Sequence, residues 1–170
     1  MFLEIVVLGL FPAAMIYAAA SDLLTMTISN RLSIGLFLGF FVVAALVGMP
    51  LADVGKHLAA SLIVLVFAFG FFARGWIGGG DAKLAAATAL WLGLPHLMDY
   101  LLVAAIIGGV LTLAILQARR WPLPRLLARQ GWIARLHAVE TGIPYGIALA
   151  IAGLIVYPET AFMHAAPTAF

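Results

Sequence analysis

Long apolar stretches separated by short polar connections constrain the fold of this chain more than any other feature. A helix that crosses a bilayer needs about 20 apolar residues, and it satisfies its own backbone hydrogen bonds there. The stretches that meet or approach this length are residues 2–21, 32–49, 57–73, 82–98, 99–117 and 143–157. The sequence therefore predicts an all-α polytopic membrane protein with about six transmembrane helices.

The composition supports this interpretation and excludes several classes of function. Charged residues make up 9% of the chain, against roughly 25% in a soluble domain, so lipid must cover most of the outer surface. The chain has no cysteine, which excludes disulfides, cysteine nucleophiles and cysteine-based zinc sites. No basic face would be free of the membrane, so nucleic-acid binding is not expected.

The length predicts a single transmembrane domain over residues 1–170, with no room for a large soluble module. The first apolar stretch lacks a basic n-region and is longer than the roughly 7–15 apolar residues of a signal peptide. We therefore expect a retained first span. Residues 158–170 are expected to form a weakly polar tail.

Positively charged residues are distributed unevenly between the connections, which predicts an orientation. Eight of the nine Lys and Arg residues lie in or beside the first, third and fifth connections: Arg31, Arg74, Lys83, Arg119, Arg120, Arg125, Arg129 and Arg135. Lys56 alone lies in the other connections. Because Lys and Arg favour the cytoplasmic side, we expect these three connections in the cytoplasm and both termini outside.

Two acidic residues stand at the cytoplasmic ends of predicted spans. Asp22 follows the first span, and Asp81 follows Gly78-Gly79-Gly80 and opens the fourth. Ionisable groups at membrane depth are costly and usually face a polar cavity. Two carboxylates in one cavity would share a proton, so one could activate water while the other protonates a departing amine. The alternative is that both residues merely cap helix ends.

The helix ends also predict how the two acids would divide this chemistry. Asp81 at a helix start would be favoured as the anion and would act as the base. Asp22 at a helix end would be favoured in its protonated form and would act as the acid. The three glycines are expected to permit unusual backbone conformations and to let an extended substrate approach Asp81.

Three segments resemble motifs of the type IV prepilin peptidases. Residues 78–84 (GGGDAKL) are similar to the family's GxGD motif, including the Lys and Leu that commonly follow it. Residues 21–30 (SDLLTMTISN) resemble the other aspartate motif, in which Ile and Asn follow the Asp by six and eight residues. Residues 143–148 (IPYGIA) resemble the Pro-Tyr-Gly segment that opens the last helix. Ser29 stands where the family usually has Pro, which is expected to loosen this loop.

The resemblance implies an intramembrane aspartyl endopeptidase in a bacterial-type inner membrane, with Asp22 and Asp81 as catalytic residues and no metal or other cofactor. Its partner would be a prepilin-like substrate, cut at the cytoplasmic face after a glycine that ends a short basic leader. The chain is most similar to the short form associated with Flp-type (tight-adherence) pili. Longer relatives carry a cysteine-containing domain that methylates the new N-terminus; it has no counterpart here, so methylation is not expected.

Further residues are predicted to bind the substrate or support the site: Gly78, Gly80, Lys83 and Asn30. Lys83 would tune the aspartates or hold the loop, or it would serve only as a topology anchor. Asn30 would fix the first loop through its side chain, or would simply end it as a turn residue. Residues 119–135, where Arg alternates with Trp121 and Trp132, predict a segment that lies on the anionic inner leaflet.

Rival functions stay open at this point. A non-catalytic membrane subunit or a small proton- or cation-coupled transporter would use the acids as an ion site, although the internal repeat typical of many transporters is missing. A GxGD protease of the signal-peptide-clearing kind lacks the Asp22 to Asn30 pattern. Serine and zinc proteases are disfavoured because neither G-x-S-x-G nor H-E-x-x-H occurs. His57 and His96 are expected to be interfacial residues on the outer side.

Overall fold

A computed structural model describes residues 2–160 and 162–163, the first six of these by backbone alone, and the described chain is helical. The helices are α1 (Phe2–Thr25), α2 (Asn30–Leu46), α3 (Leu51–Ala73), α4 (Gly79–Leu92), α5 (Leu97–Ala118), α6 (Arg125–Ala128), α7 (Gly131–His137) and α8 (Tyr145–Val156), followed by a 3-10 turn at Tyr157–Glu159. The all-α prediction is therefore confirmed for these residues. Most of the predicted tail, residues 161 and 164–170, lies outside them.

Within the described residues, three helices are long and apolar enough to cross a membrane: Leu8–Thr25, Leu51–Ala73 and Leu97–Ala118. Helices α2 and α8 belong to shorter apolar segments, and α4 has 14 residues. Six of the eight helices follow the six predicted stretches in order. The structure thus supports a membrane protein, while the number of six spans stays a prediction.

Two helices extend beyond their apolar stretches into polar sequence. Helix α1 continues to Thr25, so Asp22 lies in its last turn and not in a connection. Helix α3 starts at Leu51, six residues before the predicted span. Its first turns include Asp53 and Lys56, whose side chains form an ion pair at 2.8 Å. This pairing between residues three apart favours the helix, although single charges argue against an apolar span.

Helix α4 lies at the centre of the bundle and carries Asp81 into it. Ten of its fourteen residues are buried, and it contacts α2, α3, α5 and α8. Many of its buried side chains are alanine, and α8 also buries mainly alanine and glycine. Small side chains let helices approach closely in a membrane. The starts of α4 and α8 can therefore meet near the end of α1.

The opposite end of the bundle contains an aromatic cluster. Phe11 stacks on Tyr157 with ring centroids 4.5 Å apart. The Trp91 ring packs against both Phe11 and Phe162. His57 is buried within the protein at this end, where its Nδ1 bonds to the Leu90 carbonyl oxygen, and its expected interfacial position stays a prediction. These contacts fix the end of the bundle farthest from the aspartates.

Candidate active site

Asp22 and Asp81 line one cavity, where the end of α1 meets the start of α4. The cavity has a volume of about 240 Å³, and its other walls are Met26, Thr27, Ile28, Gly78, Gly79 and Gly80. Asp22 is 4% exposed, and Asp81 is half-buried. The structure therefore brings together the two residues that the sequence singled out, although they are 59 positions apart in the chain.

A third helix contributes a backbone donor to this pair. The Gly146 N–H donates a 2.7 Å hydrogen bond to Asp22 Oδ2, and it also approaches the Asp81 carboxyl group. Gly146 is the second residue of α8, where backbone N–H groups have no acceptor within the helix. The start of α8, with its partial positive charge, therefore faces both aspartates.

Sequence reasoning did not include Gly146 among the site residues. The signal that could have found it is the Pro144-Tyr145-Gly146 segment, which combines a helix start with a residue that has no side chain. A Cβ atom at Gly146 would lie 2.7 Å from Asp22 Oδ2. Only glycine leaves enough space for the carboxylate to reach this amide.

The contact with α8 removes the basis for the expected division between acid and base. Asp22 lies at the end of α1, but its carboxylate accepts a hydrogen bond at the start of α8, which favours its anion. Asp81 lies in the first turn of α4, outside the three candidate membrane spans. Burial, and then the neighbouring Asp22 carboxylate, raise the pKa of Asp81 to about 6, although the N–H groups of Gly78 and Gly146 oppose this shift. The two carboxyl groups therefore share one partly buried site and one backbone donor, in which a single retained proton is favoured over two anions.

The glycines before Asp81 matter through their size. Gly78 has an ordinary extended conformation, with φ −71° and ψ 147°, and Gly80 lies within α4. The expectation of unusual backbone angles is therefore wrong here. A Cβ atom at Gly80 would lie 3.1 Å from Ile28 Cβ, so the loop after α1 rests directly on the Gly80 backbone. The described glycines with positive φ lie elsewhere, at Gly48, Gly75 and Gly93.

We expect Gly80→Val to reduce cleavage of a prepilin substrate by a factor on the order of 10², because it would displace the Ile28 loop from the aspartate cavity. The matched control is Gly55→Val, which places the same side chain in helix α3, where a Cβ atom has no neighbour within 4 Å. Initial rates and melting temperatures of both purified variants provide the measurement. Wild-type activity in Gly80→Val would show that this close contact is dispensable.

Lys83 and Asn30 are brought together at the edge of the site. Lys83 Nζ donates a 2.8 Å hydrogen bond to Asn30 Oδ1. Lys83 belongs to α4, and Asn30 is the first residue of α2. This bond closes the loop that follows Asp22, which favours a loop-holding role for both residues over the simpler interpretations as topology anchor and turn residue.

Ser29 holds the loop in the conformation that a proline would impose. Its φ is −66°, close to the value fixed by the proline ring. Its side chain also accepts a hydrogen bond from the Arg31 N–H, as a helix N-cap does. Ser29 therefore has the φ that proline would have, and it adds a side-chain hydrogen bond that proline could not make.

Side chains that could together ligate a metal lie away from the aspartates. In the described part of the chain, the one such group of three contains His96, Asp99 and Glu159. It lies near the start of α5 and the end of α8, at the opposite end of the bundle from Asp22 and Asp81. The aspartate cavity itself therefore offers two carboxylates rather than a group of three ligands.

A comparison with protein families identifies the chain. The type IV leader peptidase family (Peptidase_A24) matches residues 9–113, which is more than half of the chain. The chain belongs to this family. The matched range includes both aspartates and the loop between α1 and α2, whereas Gly146 lies beyond it. No curated protein and no solved structure matches the chain. The resemblance to prepilin peptidases is thus confirmed, and the transporter and non-catalytic interpretations are disfavoured.

Proposed function

We propose that this leader peptidase is an aspartyl endopeptidase in which Asp22 and Asp81 activate a water molecule. The observation that carries the proposal is that both carboxyl groups line one cavity and approach one backbone donor, the Gly146 N–H. Two carboxylates this close share a proton more readily than they both ionise. One can then act as a base while the other acts as an acid.

In this mechanism, ionised Asp22 takes a proton from water as the water oxygen bonds to the scissile carbonyl carbon. Protonated Asp81 then donates its proton to the amide nitrogen as the carbon–nitrogen bond breaks. The products are a free carboxylate and a free amine. These steps involve neither a metal nor another cofactor, and no covalent intermediate forms with the enzyme.

The substrate we propose is a prepilin-like protein with a short basic leader that ends in glycine, cut before its hydrophobic helix, as in Flp-type pili.

A second cavity, of about 490 Å³, borders Asp81 on another side; it is lined by residues 75–78, 81, 119, 141–143 and 145. Gly78 lines both cavities. An extended chain could therefore pass over Gly78, where no side chain obstructs it, and present its backbone to Asp81.

A cleavage assay with a synthetic prepilin tests the proposed function. The purified protein in lipid vesicles is incubated with a peptide that has a basic leader, a glycine and a hydrophobic helix. Mass spectrometry should find one cut after the glycine and a new N-terminus without a methyl group. The same peptide with leucine in place of the glycine should be cut far more slowly. No cleavage above the rate of Asp81→Asn would contradict the proposal.

We propose that the site faces the cytoplasm and that both termini lie outside, in a bacterial-type inner membrane. A reporter fused after residue 170 should then be active only outside, and one inserted after Gly131 only in the cytoplasm. The basis is the excess of Lys and Arg in the three connections at the site end of the bundle. A cytoplasmic signal from the C-terminal fusion would contradict this orientation.

Anionic lipid is the second partner that we propose. Trp121 is 70% exposed and Leu126 is 77% exposed. These residues alternate with exposed arginines in the segment between α5 and α8. Apolar side chains beside cationic ones are typical of a segment that lies on an anionic membrane surface.

A further inference from the structure

Residues 119–142 connect α5 to α8 and include α6 and α7; we call them the connecting segment. Five arginines occur in it, and they form two groups. Arg119 and Arg135 donate hydrogen bonds within the protein. Exposed side chains without such bonds in the described structure are Arg120, Arg125 and Arg129. If the arginines served only to orient the chain in the membrane or to bind lipid, none of them would need hydrogen bonds within the protein.

Arg119 fixes the part of the connecting segment that leads into α8. Its Nε donates to the Leu136 carbonyl oxygen at 3.0 Å. Its Nη2 approaches the Thr141 carbonyl and hydroxyl oxygens at 3.2 and 3.3 Å, and the Gly142 carbonyl oxygen at 3.0 Å. The guanidinium group thus holds the backbone four residues before Gly146.

Arg135 joins the connecting segment to the helix that carries Asp22. Its Nη1 donates a 2.8 Å hydrogen bond to the Leu24 carbonyl oxygen, in the last turn of α1. Carbonyl groups in the last turn of a helix lack an N–H donor within the helix, so this bond supplies a donor to such an acceptor. Leu24 lies two residues after Asp22.

Thr141 connects the positions held by the two arginines. Its hydroxyl group lies within hydrogen-bonding distance of the Ala138 and Arg135 carbonyl oxygens. The end of α7 is therefore tied to the residues that Arg119 holds. As a result, a continuous series of hydrogen bonds runs from the end of α5 through the connecting segment to the end of α1.

We propose that Arg119 and Arg135 are positioning residues that hold the Gly146 N–H against the aspartate pair. This inference rests on the proposed aspartyl mechanism. Arg119 sets the position of the backbone that enters α8, and Arg135 sets the position of the last turn of α1. Arg119 also borders the second cavity, whereas Arg135 lines neither cavity, so a loss confined to kcat distinguishes positioning from substrate contact. Arg119 donates to several acceptors at once, which requires its planar fork of donors, because lysine supplies the same charge without this fork.

Kinetics of matched variants test the role of Arg119. We expect kcat to fall about 10- to 100-fold in Arg119→Gln, with KM changed less than about threefold, since misplacement of a reacting group mainly affects the chemical step. Arg119→Lys should restore only a small part of kcat. The control Arg120→Gln removes the same charge from the neighbouring exposed position and should stay within about twofold of wild type. Full rescue by lysine, or an equal loss in the control, would overturn the proposal.

Spin labels give a measurement that does not depend on catalysis. The chain has no cysteine, so cysteines introduced at Gly35 and Gly131 would be the only labelling sites. A Cβ atom at either position has no neighbour within 4 Å. The distance between the labels reports on α7 relative to α2. We expect a narrow distribution in the parent protein and in Arg120→Gln, and a broad one in Arg119→Gln and Arg135→Gln.

The two measurements separate failure of the proposed function from failure of this inference. If Asp81→Asn stays active, the aspartyl mechanism is wrong whatever the arginine variants do. If the aspartates are essential but Arg119→Gln keeps both its rate and a narrow distance distribution, the arginines do not position the site. A broad distribution with a normal kcat would also overturn the proposal, because α7 would then move without any effect on the aspartate pair.

Discussion

Replacing either Asp22 or Asp81 by asparagine is expected to reduce cleavage of a prepilin substrate by about 10³-fold or more. Each carboxyl group supplies one half of the proton transfer, and such catalysis contributes roughly 10²- to 10⁴-fold at a single group. Asparagine has nearly the same shape as aspartate, so the fold should be kept. Its amide group, however, can neither accept the proton from water nor deliver one to the amine. The rates are measured by mass spectrometry under single-turnover conditions.

The controls for this experiment are other aspartates of the same chain. Asp53→Asn and Asp99→Asn remove a charge at a half-buried and an exposed position near the starts of α3 and α5, away from the aspartate cavity. Both should cleave at close to the wild-type rate. Melting temperatures of all four variants would show whether a lost rate reflects lost structure. More than about one tenth of normal cleavage by a folded Asp22 or Asp81 variant would refute the two-carboxylate mechanism.

The second large effect is expected from a single methyl group. In Gly146→Ala, the new Cβ would lie 2.7 Å from Asp22 Oδ2 and 2.6 Å from Ile28 Cδ1. Either the carboxylate or the start of α8 must then move, and the hydrogen bond to the Gly146 N–H is lost. We expect cleavage to fall about 10²-fold or more, since shifts of about 1 Å at a reacting group have effects of this size.

Gly109→Ala is the matched control for that substitution. It places the same methyl group in α5, where a Cβ atom has no neighbour within 4 Å and borders neither cavity. Cleavage by this variant should be normal. If Gly146→Ala and Gly109→Ala had equal rates, the contact between α8 and the aspartates would have no catalytic importance.

The order of the apolar helices along the chain could be predicted because hydropathy indicates which stretches avoid water, while the number that cross a membrane stays a prediction. The ends of the helices could not be predicted. Asp53 and Lys56 look like connection residues when each is considered alone, yet they pair within the first turns of α3. Asp22 looks like the start of a connection, yet it continues α1. In both cases local side-chain and backbone partners outweigh the polarity of single residues.

The side chains of the candidate site could be predicted from the sequence, whereas its backbone contacts could not. Asp22 and Asp81 are carboxylates at predicted span ends on the same side, so topology alone brought them to one depth. Gly146 contributes only its N–H group, 124 positions from Asp22, and no side chain identifies that donor. The acceptors of Arg119 and Arg135 are mainly backbone carbonyls, so these arginines looked like lipid-binding charges.

The contact between Asp22 and Gly146 has a consequence for biosynthesis. Both aspartates leave the ribosome with the first half of the chain. The Gly146 amide that approaches them belongs to α8, which is synthesised after the other seven helices α1 to α7. On the proposed mechanism, a nascent chain is therefore inactive until α8 has been inserted. Premature termination before residue 143 would leave both acids in the membrane without their common donor, so an incomplete protein could not cut the pilin precursors around it.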